Sequence, residues 1–185
     1  MKIIETDLAG LLVIEPAVFG DPRGFFHETW REDRYREAGV GGLFVQDNFS
    51  RSAHRVLRGL HFQKKHPQAK LVFVTRGEVF DVAVDLRPGS PTFGRWYGLV
   101  LSDKNHRQVW VPAGMAHGFY VLSDEADFIY KCTDYYHPED EGGLLYSDTD
   151  LGIDWPAPDP ILNERDRNFP RLRDLAPDDL PAVTR

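Results

Sequence analysis

The run Val56-Leu57-Arg58-Gly59-Leu60-His61-Phe62-Gln63, followed by Pro67-Gln68-Ala69-Lys70-Leu71, sets an arginine, a histidine and a lysine among apolar residues with strand character. An imidazole titrates near neutral pH, so His61 is a candidate for taking and returning a proton. A guanidinium and an ammonium beside it would bind an anion or steady the oxygen of an enolate. Together they point to acid–base chemistry next to a carbonyl, on a substrate that carries negative charge. A lone histidine among apolar neighbours is more often a hydrogen-bonded core residue. Two more basic groups close by weigh against that reading, because a structural core rarely needs three.

Side chains alternate faces along a strand, so Arg58 and His61 face apart unless the strand bends. Gly59 is where a bend costs least. With that bend Arg58 and His61 line one cavity, and Lys70 returns to it on the next strand.

Other residues could join them. Pro112-Ala113-Gly114-Met115-Ala116-His117 resembles the P-x-G-x-x-H element of the cupin barrels. Metal-binding cupins also carry an H-x-H pair, and that position here reads His61-Phe62-Gln63. Two histidines do not complete a zinc or iron site, so no metal is expected. In Phe128–Tyr136, alternation would put Tyr130, Cys132, Asp134 and Tyr136 on one face. A tyrosine in such a place commonly satisfies its hydroxyl at the core edge, although a phenol opposite a base could also return a proton to a carbanion. The charged run Asn163-Glu164-Arg165-Asp166-Arg167 reads by itself as solvated surface.

These residues need a β framework. Short strands are expected at Leu11–Ile14, Leu43–Asp47, Val56–Phe62, Lys70–Thr75, Val79–Leu86, Trp96–Leu101, Gln108–Val111, Gly118–Leu122 and Phe128–Tyr135, with Gly/Pro turns between them. That spacing indicates a double-sheet barrel or sandwich. On Val79–Leu86, Phe80, Val82, Val84 and Leu86 form one face and Val79, Asp81, Ala83 and Asp85 the other. The two aspartates face either solvent or a polar lumen. One helix is expected over Arg31–Ala38, with Thr29 and Glu32 at capping-box spacing and Gly39 as its stop. The prolines beyond Trp155 predict an irregular tail wrapping the barrel.

The chain has 185 residues, 42% hydrophobic and 28% charged, which fits one domain (1–185) with a substantial core. A net charge of −7 argues against binding nucleic acid through a general basic surface. Cys132 is the only cysteine, so no disulfide forms within the chain. No apolar run approaches the length of a membrane span, and the N-terminal residues do not read as a signal peptide. A cytoplasmic protein is expected, with no membrane partner.

The motifs together resemble one family. They are F-G-D-x-R-G-F-F at 19–26, V-Q-D-N at 45–48, V-L-R-G-L-H-F-Q at 56–63, G-E-V-F-D-V-A-V-D at 77–85 and S-P-T-F-G at 90–94. A-H-G-F at 116–119, Y-K-x-T-x-Y-Y at 130–136 and G-I-D-W-P at 152–156 complete them. In combination they are similar to dTDP-4-dehydrorhamnose 3,5-epimerase, over about residues 3 to 170. The resemblance implies a mainly β, metal-free and cofactor-independent cupin jelly roll with a short helix in its N-terminal half. It also implies a homodimer acting on a dTDP-4-keto-6-deoxy sugar. By resemblance His61 is the base and Asp166 orients it, Tyr130 is the acid on the opposite sugar face, and Lys70 stabilises the enolate. Arg23 and Arg58 correspond to pyrophosphate and sugar contacts. Phe19, Phe26, Glu28, Gln46 and Asn48 fall where the family contacts nucleotide and sugar, and His117 and Tyr136 line the same site. His27 and the Lys64-Lys65-His66 loop lie outside the shared signature. Three other readings stay open: an epimerase of a single centre in a related sugar, a cupin that binds a sugar nucleotide without turnover, and a metal-dependent oxygenase.

Overall fold

The computed structural model of the chain describes residues 1–182, built mostly from short antiparallel strands. Strands β1 (Lys2–Glu5) and β2 (Leu12–Glu15) pair at the N-terminus, and β3 (Phe19–Asp21) and β4 (Gly24–Phe26) form a separate ribbon. Helix α1 (Glu32–Glu37) precedes β5 (Gln46–Ala53), β6 (Leu57–Gln63), β7 (Lys70–Arg76) and β8 (Glu78–Asp85). Then come β9 (Trp96–Ser102), β10 (Gln108–Val111), β11 (Met115–Val121), β12 (Glu125–Cys132), β13 (Glu141–Gly143) and the short helix α2 (Glu164–Arg167).

The strands form two sheets, in the orders β1-β2-β10-β7-β12-β5 and β13-β6-β11-β8-β9. This is the jelly roll that the motifs imply. Alternation gives each sheet two apolar faces. Between the sheets, Val72, Val74, Val109 and Phe128 meet Val79, Ala83, Phe119 and Val121. Phe119 and Phe128 stack at 4.2 Å across this core, and truncating Phe128 to Ala would cost about 3–5 kcal/mol. The outer face of the five-stranded sheet buries Leu60, Phe62, Val82 and Val84 under Leu144, Leu151, Trp155 and Leu172 of the C-terminal tail. Ile14, Leu71 and Trp110 on the other outer face lie beneath Tyr35 of α1 and Val40.

The two faces of β8 thus separate as the pattern requires, and the open question about its aspartates is answered. Asp81 is buried and hydrogen-bonded to His117 at 2.9 Å, inside the barrel. Asp85 is buried at the strand end, accepting from Arg87, Ser90 and Thr92.

Three expectations need correction. The Thr29–Glu32 capping box does not form: the helix is capped at Arg31, with no side-chain hydrogen bond, although Gly39 at φ +85° does follow its end. The strand expected at 43–47 lies instead at 46–53. Its inward residues Gln46, Asn48 and Ser50 are polar because they line a cavity, so hydrophobic alternation is missing. Strand β12 stops at Cys132, and residues 133–137 continue as a loop. The tail wraps the barrel as expected, but carries α2 and two short 3-10 turns at Leu172–Asp174 and Pro177–Asp179. Among the described residues no helix is long and apolar enough to cross a membrane.

Candidate active site

The bend expected at Gly59 is a β-bulge. In the β6–β11 pairing His61 faces His117 and Arg58 faces Phe119, so three residue steps on β6 match two on β11. The extra residue turns Arg58 and His61 to the same side. Gly59 has φ +123°, and a Cβ on it would fall 2.5 Å from the Gly118 Cα, so only glycine fits there. Both Arg58 and His61 line a cavity of about 380 Å³ between the sheets.

Asp166 reaches this cavity from the tail. Asn163 caps α2 by accepting the Asp166 N–H at 2.7 Å, which fixes where the helix starts. The Asp166 carboxylate is 1% exposed. Its Oδ1 accepts from His61 Nε2 at 2.9 Å, and its Oδ2 accepts the Gly59 N–H at 3.1 Å. Burial pushes the Asp166 pKa up, but the His61 hydrogen bond and charge, the Gly59 N–H and Arg165 outweigh it and hold the carboxyl below its usual range. The imidazole also meets the edge of Phe169, 5.7 Å between centroids. Its Nδ1 lies 3.8 Å from Glu141 Oε1.

The opposite wall comes from the other sheet. Lys70 on β7 pairs with Cys132 on β12, and Tyr130 two residues earlier pairs with Asn48 on β5. Tyr130, Lys70, Asn48 and Gln46 all line the cavity. Desolvation lowers the Lys70 pKa, against the pull of Cys132, Glu141 and Asp81. Desolvation raises the Tyr130 phenol, so it keeps its proton through neutral pH. Base candidate and acid candidate therefore stand on facing sheets with the cavity between them. His117, held by Asp81, sits beside His61 on the neighbouring strand. Arg58 donates to Ser52 at 2.9 Å.

Tyr136 also lines the cavity, although not by strand alternation, since the loop after Cys132 delivers it. Its hydroxyl donates to Glu141 at 2.8 Å. Asp134 and Cys132 do not line the cavity, and Cys132 is buried.

Four residues that the resemblance implicated are not brought to this cavity by their own chain. Phe19 and Phe26 sit on the β3–β4 ribbon, 64% and 65% exposed. The Arg23 side chain is 90% exposed and pairs with Asp21, and Glu28 pairs with Arg34 and Arg31 of the helix region. Gln63, Gln68, Ser50, Glu141 and Arg165, in contrast, line the cavity without having been singled out. Gln63 was legible as the residue two steps after His61 on the same strand face; the others carry no local signal.

Known proteins resemble this chain over nearly its whole length. The sequence profile of the dTDP-4-dehydrorhamnose 3,5-epimerase family matches residues 5–174. The enzyme of that name from Pseudomonas aeruginosa is 55% identical over 169 residues, covering 90% of this chain and 93% of its own length. That from Methanothermobacter thermautotrophicus is 53% identical over 176 residues, covering 94% and 95%. The crystal structure of the Legionella pneumophila dTDP-6-deoxy-D-glucose-3,5-epimerase in complex with dTDP-4-keto-L-rhamnose is 53% identical, with a TM-score of 0.95 over 100% of this chain and 99% of that one. A 3'-monoepimerase from Streptomyces bikiniensis, in complex with dTDP-quinovose, is 37% identical with a TM-score of 0.85, covering 91% and 86%. The chain belongs to the dTDP-4-dehydrorhamnose 3,5-epimerase family.

Proposed function

We propose that this chain converts dTDP-4-dehydro-6-deoxy-D-glucose to dTDP-4-dehydro-L-rhamnose, without a cofactor, as one catalytic domain. The observation that carries the reading is a histidine–aspartate pair at 2.9 Å in a cavity whose facing wall holds a buried tyrosine and a lysine.

The 4-ketone acidifies the C–H bonds on both flanking carbons. His61 takes one such proton, and the bond's electron pair moves into an enolate. Asp166 occupies Nε2, which leaves Nδ1 as the basic nitrogen. Lys70 meets the enolate oxygen, and desolvation strengthens that contact. Tyr130 then gives its proton to the carbon from the other face. Before the second inversion, and again after it, protonated His61 releases its proton to solvent and the Tyr130 phenolate takes one back. Inversion at each centre follows, with no net change in atoms or electrons. Positioned proton transfer contributes about 10²–10⁴-fold.

Inversion of both centres is favoured over inversion of one, because the relatives above half identity carry the 3,5-epimerase name while the monoepimerase stands at 37%. A homodimer fits the ribbon. Phe19, Arg23, Phe26 and Glu28 match substrate-contacting positions yet lie away from the cavity of their own chain. A second copy would receive them at its cavity mouth. Incubation with the 4-keto sugar nucleotide and a reductase specific for the L-rhamno product tests the reading. Reduced product is expected; no product, or product only with a reductase for a singly inverted sugar, rules it out.

A further inference from the structure

The loop that carries Tyr136 has no ladder to hold it, yet four successive residues of it are tied down by side-chain amides. Gln68 Nε2 donates to the Asp134 carbonyl at 2.8 Å. Gln63 Nε2 donates to the Tyr135 carbonyl at 3.1 Å, and Gln63 Oε1 accepts the His137 N–H at 2.6 Å. Gln46 Oε1 accepts the Tyr136 N–H at 2.9 Å. Gln63 also donates to the His66 carbonyl at 2.7 Å, and the Asp140 carboxylate accepts the N–H groups of Lys65 and His66. Gln63 is 4% exposed, and these bonds use both donors of its amide and its acceptor oxygen.

From this arrangement we infer that Gln63 is a positioning residue: it brackets Tyr136 through the backbone groups on either side and so fixes the phenol at the cavity mouth. The position two residues after His61 thus acts on the rim loops. The 64–66 loop becomes the second anchor of the same clamp. Gln63 acts through Tyr136 and not on the reacting carbons, so it governs how tightly ligand is held. The choice of ligand rests on the epimerase reading.

The test is a cycle of Gln63→Glu and Tyr136→Ala, read by steady-state kinetics and by calorimetry with dTDP. Gln63→Glu replaces two N–H donors by an ionised carboxylate facing two carbonyls. KM and the dTDP dissociation constant should each rise about tenfold near neutral pH while kcat changes less than about threefold. Acidification protonates the new carboxyl and restores one donor, so the ratio of variant to wild-type KM should fall as pH falls. A merely structural role would show the same pH dependence in the Tyr136→Ala background, whereas positioning of Tyr136 predicts that it disappears there. In the Tyr136→Ala background Gln63→Glu should add less than about twofold. Should Gln63→Glu fail to fold, Gln63→Met removes the amide without burying a charge and should raise the dTDP dissociation constant about tenfold, again with less than about twofold effect in the Tyr136→Ala background. Wild-type dTDP affinity in these variants, or an undiminished loss without Tyr136, overturns the inference. Wild-type protein that binds dTDP but turns nothing over would instead sink the reaction and leave the calorimetric test intact.

Discussion

Asp166 holds two parts of β6 at once: one carboxylate oxygen bonds the His61 ring at 2.9 Å and the other takes the N–H of Gly59, the residue that bends the strand towards the cavity. A single side chain thus fixes both the direction of the imidazole and the bulge that delivers it. The tail is required for this, because Asp166 is set by the Asn163 cap on a helix far along the sequence.

Asp166→Asn keeps the volume and an acceptor for the Gly59 N–H but removes the charge that, in the proposed mechanism, steadies the imidazolium. kcat should fall about 10²–10⁴-fold with a much smaller change in KM, measured by product formation with the coupled reductase. Loss in KM alone would show that Asp166 only shapes the pocket.

Tyr130→Phe should retain solvent exchange at the carbons flanking the ketone while slowing inversion. Equal slowing of both processes, followed by mass spectrometry and product analysis, would remove Tyr130 from the role of acid. Because burial raises its pKa, wild-type activity should show no loss attributable to this phenol at neutral pH.

In the proposed mechanism Lys70 meets the enolate oxygen, so Lys70→Met should lower the turnover number about 10²–10³-fold. Lys70→Arg should not restore it, since a planar guanidinium needs more room than the compact ammonium. Near-wild-type kcat in Lys70→Met would point to another donor.

Asp85 is one of the carboxylates whose protonation weakens the fold in acid. Burial would raise its pKa, but hydrogen bonds from Arg87, Ser90 and Thr92 bring it down to about 2. A carboxyl depressed in the folded state stabilises above its unfolded pKa, and that stability is lost as pH falls towards 2. The contribution is about 2 kcal/mol at neutral pH. Asp85→Asn should lower the melting temperature at pH 7 and narrow the gap to wild type on acidification. A gap unchanged between pH 7 and pH 2 would contradict this.

The sequence was most readable where one residue type had one physical use. Gly59 between Arg58 and His61 announced the bend, and β8 announced its two faces. Polar strands that line a site were less readable: β5 looks like a loop because Gln46, Asn48 and Ser50 point inward without being apolar. Asp166 was invisible to local reasoning, since a four-residue helix in a charged run has no periodicity and its partner is distant in sequence. Only the family resemblance connected it to His61. The same resemblance implicated Phe19, Arg23, Phe26 and Glu28, which this chain does not place in its own cavity. A pattern shared by relatives carries no information about which copy of the chain supplies a residue.

Running the reaction in heavy water tests the central role of His61 most directly. Wild-type protein should wash deuterium into both carbons beside the ketone, read by mass spectrometry, and His61→Ala should show none above the uncatalysed rate. Exchange at the wild-type rate in His61→Ala would mean that another group removes the proton.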